Sequence, residues 1–218
     1  MFCSRILAVL AASAVGAVAP ALSQPHPVHP ESSVMIGHPL AIVPFVPESY
    51  VRVSQRDVAV DGESASLVRY ERKDGRNTGL GGEHFSAVLA ADGRLKGFVH
   101  LALERAGESL PSRERSEQIA REFLRLSAPD LLPRMKISWI DPHDESIQVR
   151  RDGRIDTVTL TGMKVKARNL ADGRWFWVII GSDEKPMVFE RDVVWINFPG
   201  HRQTEKWLHD SWLNAQRD

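Results

Sequence analysis

The sequence predicts an α+β fold, an antiparallel β-sheet built of hairpins with one central and one C-terminal helix packed on it. Three observations carry that expectation. Asp-Gly dipeptides recur at 61, 74, 92, 152 and 172, and Asp-Gly between alternating apolar stretches is the strongest short hairpin signal. A serine-capped amphipathic run begins at Ser112. The stretch Arg174–Gly181 carries no charge between Trp175 and Ile180 and lies between two turn signals, which reads as a central strand.

The chain has 218 residues and a formal net charge of zero. Residues 1–23 read as a secretory signal peptide: a basic start ending at Arg5, an apolar alanine-rich run from Ile6 to Ala19, and the small residues Ala21 and Ser23. Cleavage falls after Ala19 or after Ser23. A membrane anchor fits less well, because a span needs about 20 uninterrupted apolar residues. The one cysteine is Cys3, so the expected mature chain has no disulfide, thiol nucleophile or cysteine metal site. Its charge is not that of a nucleic-acid binder. The expected location is periplasmic or secreted, with no transmembrane segment in the mature chain.

Residues 24–49 form a Pro/His-rich extended leader, since proline fixes φ and removes donors. Its apolar part, Leu40–Phe45, is able to lie against the domain. Residues 50–218 form a single α+β domain. Val51–Val60 and Ser66–Glu71 are strands around Asp61-Gly62, and Glu83–Ala91 and Leu95–Leu103 a second pair. Ser112 caps a helix whose inner face is Ser116, Ile119, Ala120, Phe123, Leu124 and Ser127, stopped by Pro129. Met135–Asp141, Ser146–Arg150, Ile155–Leu160, Gly162–Asn169, the Trp175 strand and Met187–Ile196 follow. A second helix over Arg202–Ala215 presents Trp207, Leu208, Ser211, Trp212 and Ala215.

Both Ala-Asp-Gly-Arg turns suggest three-residue loops ending in a left-handed glycine, at Gly93 and Gly173. If one sheet face holds the core, this register pairs Ala91 with Leu95, Phe85 with Leu101 and Ala167 with Ile179. Phe176, Val178 and Ile180 then share a face with Lys164, Lys166 and Arg168, and with Glu190 and Asp192 beyond. That apolar stripe between charged edges needs a cover, either Trp207 and Trp212 or a partner. These eight residues, Phe176, Val178, Ile180, Lys164, Lys166, Arg168, Trp207 and Trp212, are the candidate partner-binding set. The repeated turn also hints at a duplication.

Other clusters carry weaker chemistry. His26, His29 and His38 sit in a tail without a supporting shell, so no metal site is expected. Asp141-Pro-His-Asp-Glu145 gathers carboxylates and an imidazole, yet Pro142 favours a solvated turn. His209 and Asp210 are adjacent on a helix and point apart. No nucleophile-elbow, zinc-protease, phosphate-loop or dinucleotide motif is present, and no catalytic residue or cofactor is assigned.

The order of hairpin, Ser112-Arg-Glu-Arg-Ser-Glu-Gln-Ile-Ala-Arg-Glu-Phe-Leu124 helix and further strands resembles PepSY-type modules of exported bacterial proteins over residues 83–196. The resemblance implies a helix-on-sheet fold in the periplasm with binding or inhibitory rather than catalytic roles. The expectation is thus a non-enzymatic exported module that binds an unidentified ligand, protein or envelope component. The alternatives are a periplasmic hydrolase with a dispersed Asp/His site around His143 or His209, and a structural subunit held through the strand face and last helix.

Overall fold

Asp61 and Gly62 both take positive φ, 51° and 81°, the pair of left-handed residues that a tight two-residue hairpin demands. They join strand β1 (Tyr50–Val60) to β2 (Glu63–Arg72). The same geometry at Asp152 and Gly153, φ 49° and 76°, joins β5 (Met135–Arg151) to β6 (Arg154–Asn169). Between these hairpins come β3 (His84–Ala90), β4 (Leu95–Leu101) and helix α1 (Arg113–Ser127). After β6 follow β7 (Trp175–Ile180), β8 (Pro186–Val193), the two-residue strands β9 (Trp195–Ile196) and β10 (His201–Arg202), and helix α2 (Asp210–Ala215). This computed structural model describes residues 45–196 and 200–215, which fall within one compact unit. Residues 1–44, which hold the expected signal peptide and most of the expected leader, lie outside the described residues.

Eight strands form one antiparallel sheet in the order β1-β2-β3-β4-β8-β7-β6-β5. Each half is a meander, and the halves meet where β4 pairs with β8 through Gly97–Glu190, Phe98–Phe189 and Val99–Val188. The sheet curls. The Gln148 N–H donates to the Gly81 carbonyl (2.7 Å) and the Arg150 N–H to Asn77 Oδ1 (3.0 Å). These bonds join β5 at one edge to the β2–β3 loop, several strands away. With strands about 4.8 Å apart, a flat sheet would hold those groups more than about 20 Å from each other.

Both faces of the sheet are buried. α1 covers one, where Ala120, Phe123 and Leu124 pack on Phe85, Phe98, Val165, Ala167, Phe176, Val178, Ile180 and Phe189. Phe45 and Val46 join this core, and Phe45 stacks on Phe98 at 5.6 Å. The other face is filled by Val99, Leu101, Ile147, Leu160, Trp177, Ile179 and Val188 together with Trp207, Leu208 and Leu213 from the C-terminal segment. As expected, the Ser112 hydroxyl caps α1 by accepting from the Arg115 N–H (3.1 Å). No helix among the described residues is long and apolar enough to cross a membrane.

The two-sided core corrects the expected register. Gly93 and Gly173 are left-handed as expected, at φ 84° and 76°. The first turn closes on Ala90 and Arg94, not on Ala91 and Leu95, and Phe85 pairs with His100. A bulge between Val88 and Leu89 absorbs the change of phase. In the second, Asn169 faces Arg174 and Ala167 pairs with Phe176, not with Ile179. Alternation selects a register only when one face alone is apolar, and here both faces carry apolar core. The duplication hint also fails, since the two turns join β3 to β4 and β6 to β7, which are different places in their meanders.

Two further expectations change. Asp141–Glu145 is not a turn but the middle of the 17-residue strand β5, paired throughout with β6. β5 is an edge strand, where the missing N–H of Pro142 costs no ladder bond. The second helix is only Asp210–Ala215. Trp207 and Leu208 precede it and are buried, Leu213 takes the inner position, and Ser211 and Ala215 are exposed.

Candidate functional site: a tryptophan-lined groove opposite helix α1

The corrected register redistributes the candidate residues. Lys164 pairs with Ile179, Lys166 with Trp177 and Arg168 with Trp175, so these cations share a face with the tryptophans and not with Phe176, Val178 and Ile180. The latter three are 1%, 1% and 0% exposed beneath α1. They are therefore core residues and offer no surface to a partner. Trp207 is buried too, against the strand carrying Gly97, where an added Cβ would stand 2.8 Å from the indole. Trp212 packs against the same core, partly buried.

The face opposite α1 holds a groove of about 1130 Å³. One wall is the β5–β6 pair, bearing Trp139, His143, Glu145, Lys164 and Lys166. The floor includes Val99, Leu101, Trp177 and Val188. The C-terminal segment makes the second wall with Trp195, Arg202, Leu208 and His209, and Leu80, Gly81 and His84 contribute from the β2–β3 loop and β3. The alternation of β5 places Trp139, His143 and Glu145 on one face, two or four residues apart.

Cations lie on the indole rings. Lys164 Nζ is 4.1 Å from the Trp177 ring centroid. Lys166 Nζ lies 4.6 Å from Trp175, 5.4 Å from Trp139 and 5.5 Å from Trp195, and Arg168 is 5.5 Å from Trp175. Such contacts gain about 0.5–2 kcal/mol, more as water is excluded. Trp139 and Trp195 remain 36% and 44% exposed, so the box around Lys166 opens to solvent.

Acidic groups complete the lining. Glu190, 2% exposed, is bound by the Arg202 guanidinium. Glu145 lies 3.6 Å from His143 Nε2. Burial pushes the Glu145 carboxyl up, but the neighbouring His143 and His209 imidazoles leave it below the usual range. Burial drives the Lys164 ammonium down to about 8, against the pull of Glu190 and Glu145.

At the β3 side, His84 is 3% exposed and its Nδ1 is 2.8 Å from the Gly82 carbonyl. A carbonyl accepts, so Nδ1 carries the proton and Nε2 presents a lone pair. That Nε2 is buried and has no hydrogen-bond partner among the described residues, with Asp210 Oδ1 3.9 Å away. Burial, then the Arg69 guanidinium, hold the imidazole well below its ordinary pKa. Asp210 accepts from Arg69 (2.8 Å) and from the Gly81 N–H. Despite burial, its carboxyl stays low through the Arg69 guanidinium and that N–H.

The groove thus gathers Lys164, Lys166, His143 and His209 from the sequence candidates. His84, Trp139, Trp195 and Arg202 were not legible as site residues. The odd-numbered pattern Trp139-x-Asp141-x-His143-x-Glu145-x-Ile147 was the available signal, hidden by reading Pro142 as a turn. Among the described residues no group of three or more His, Cys, Asp or Glu side chains could hold a metal ion.

Fold and site together define an antiparallel α+β sheet domain with an amphipathic groove on the face opposite its helix. No protein-family model matches the chain, and no curated protein or solved structure matches it at a significant level.

Proposed function

We propose that this chain is an exported, non-enzymatic binding module that holds its ligand in the groove opposite α1. The observation that carries this reading is the groove itself, about 1130 Å³ with exposed tryptophan on its rim and apolar side chains on its floor. Ligand sites are concave and largely apolar, with a few placed polar groups to fix orientation. The N-terminal residues 1–23 supply the case for export, and the PepSY-type kinship belongs to the proposal through the sequence order around α1.

Intrinsic fluorescence tests it, because Trp139, Trp177 and Trp195 line the groove. Titration with pools of short peptides, oligosaccharides and amphipathic acids should give a saturable change in emission with at least one pool. Trp139→Ala should weaken that response while the fold persists. Turnover of peptides, esters or glycans by the purified protein would overturn the non-enzymatic part.

One observation favours the hydrolase alternative. His143 stands 3.6 Å from Glu145 inside the groove, and His209 lines the same groove. That reading requires a hydrolytic activity lost in a His143→Ala/His209→Ala double variant, whereas the binding reading requires that ligand still saturates it.

A further inference from the structure

Among the described residues the buried cations are paired, with one exception. Arg69 meets Asp210 at 2.8 Å, Lys96 meets Glu63 at 3.5 Å, Arg105 meets Asp183 at 3.1 Å, and Arg191 meets Asp130. Lys164, 9% exposed, has no carboxylate at ion-pair distance and no hydrogen-bond acceptor among the described residues. The nearby acids are engaged elsewhere. Asp141, directly across the β5–β6 pair from Lys164, accepts from Arg113 of α1 at 2.6 Å. Glu190 is taken by Arg202, and Glu145 lies beside His143. An ammonium has three donors to satisfy, and in a residue this little exposed its hydration is reduced, so an acceptor arriving from the groove is favoured.

The Lys164 ammonium lines the groove, resting on Trp177. Beyond it the surface is aliphatic, through Val99, Leu101, Val188, Ile147 and Leu208. We propose that the groove ligand is an amphipathic monocarboxylate, its carboxylate on Lys164 Nζ and its apolar body along the Trp177 and Leu101 floor. The inference rests on the reading of the groove as a binding site. A single charge is favoured because one buried cation is left over among the described residues, and the nearby Glu190 and Glu145 repel a dianion. Cation and floor are both present before the ligand arrives, so little ordering is required on binding.

The probes are dodecanoate, dodecanol and dodecyl phosphate, titrated calorimetrically and by tryptophan emission at pH 7. Dodecanoate should bind with one site per chain, at least about tenfold more tightly than dodecanol or the phosphate, since a charge-assisted contact is the stronger kind. Lys164→Met and Lys164→Gln should abolish that preference, lowering dodecanoate affinity about tenfold or more while dodecanol is unchanged or improved. Lys166→Met, altering the solvent-open cation, should leave the preference intact. Equal binding of acid and alcohol, a preference for phosphate, or a preference that survives both Lys164 variants would overturn the proposal. If peptides or oligosaccharides saturate the groove and dodecanoate does not, the monocarboxylate inference fails and the binding reading stands. If nothing saturates it, both fail.

Discussion

Lys164 and His84 are buried groups that are easier to hold neutral than charged, and their linkage to folding has the same sign. The Lys164 ammonium titrates near 8 in the folded chain against 10.5 for an ordinary lysine. Between those values the unfolded chain binds more protons, so stability rises with pH across that window. The gain is roughly 3 kcal/mol if the whole displacement is realised. His84 is depressed too, so stability falls as pH drops below about 6.5, where the unfolded imidazole takes a proton that the folded one refuses. Tyr50 has the opposite sense. Burial pushes its phenol up to about 12, so above pH 10 the unfolded chain ionises first and stability declines. Urea midpoints at pH 7, 8, 9 and 10 should therefore increase to a maximum near 10. Lys164→Met should be more stable than the parent at pH 7 and lose the rise between 8 and 10. A parent curve flat over that range would show that Lys164 is solvated.

At the scale of elements, α1 and β7 are joined by burial. Ser112→Ala removes the cap on α1 and should cost about 1 kcal/mol. Phe176→Ala empties a site sealed between β7 and α1, and should cost about 3–5 kcal/mol. Trp139→Ala, on the exposed side of edge strand β5, should change stability far less. Thermal denaturation of the three variants ranks them, and a Phe176→Ala change as mild as Trp139→Ala would contradict the face assignment of β7. Hairpins and helix were legible because their signals are local: Asp61-Gly62 and Asp152-Gly153 require φ above zero, and Ser112 caps through its own neighbours. What escaped the sequence was non-local. Pairing Ala167 with Phe176 depends on both sides of the sheet being covered, by α1 and by the chain around Trp207. The continuity of β5 through Pro142 depends on its lying at the edge. His84 enters the site only because the curled sheet brings the Gly81 loop against Gln148.

Across the whole sheet, the two meanders pair strand to strand along the short β4–β8 seam and meet again where β5 bonds the β2–β3 loop, and other parts of the chain span the seam. Asp210 binds Arg69 of β2, and the Glu205 N–H donates to Asp61 at the β1–β2 turn (2.8 Å). On the other face α1 packs against strands of both meanders. The seam itself demands a glycine. A Cβ at Gly97 would strike the Phe189 carbonyl as well as the Trp207 indole, so Gly97→Ala must either push β8 from β4 or evict Trp207. Overpacking of this kind costs about 1–3 kcal/mol, occasionally more. Because both faces are bridged, that loss should be felt by both halves together. All six tryptophans lie beyond position 138, three in the second meander and three in the chain that follows it, so their emission reports the second meander and the C-terminal segment, whereas far-UV circular dichroism follows both meanders. In urea the Gly97→Ala midpoint should fall by the same amount in the two signals, with the tryptophan emission of the native state shifted to the red. Coincident transitions are the mark of a single cooperative unit. If emission and dichroism instead separate in the variant, the meanders are stable apart, and the C-terminal segment is a cover on the groove but no clamp between the halves.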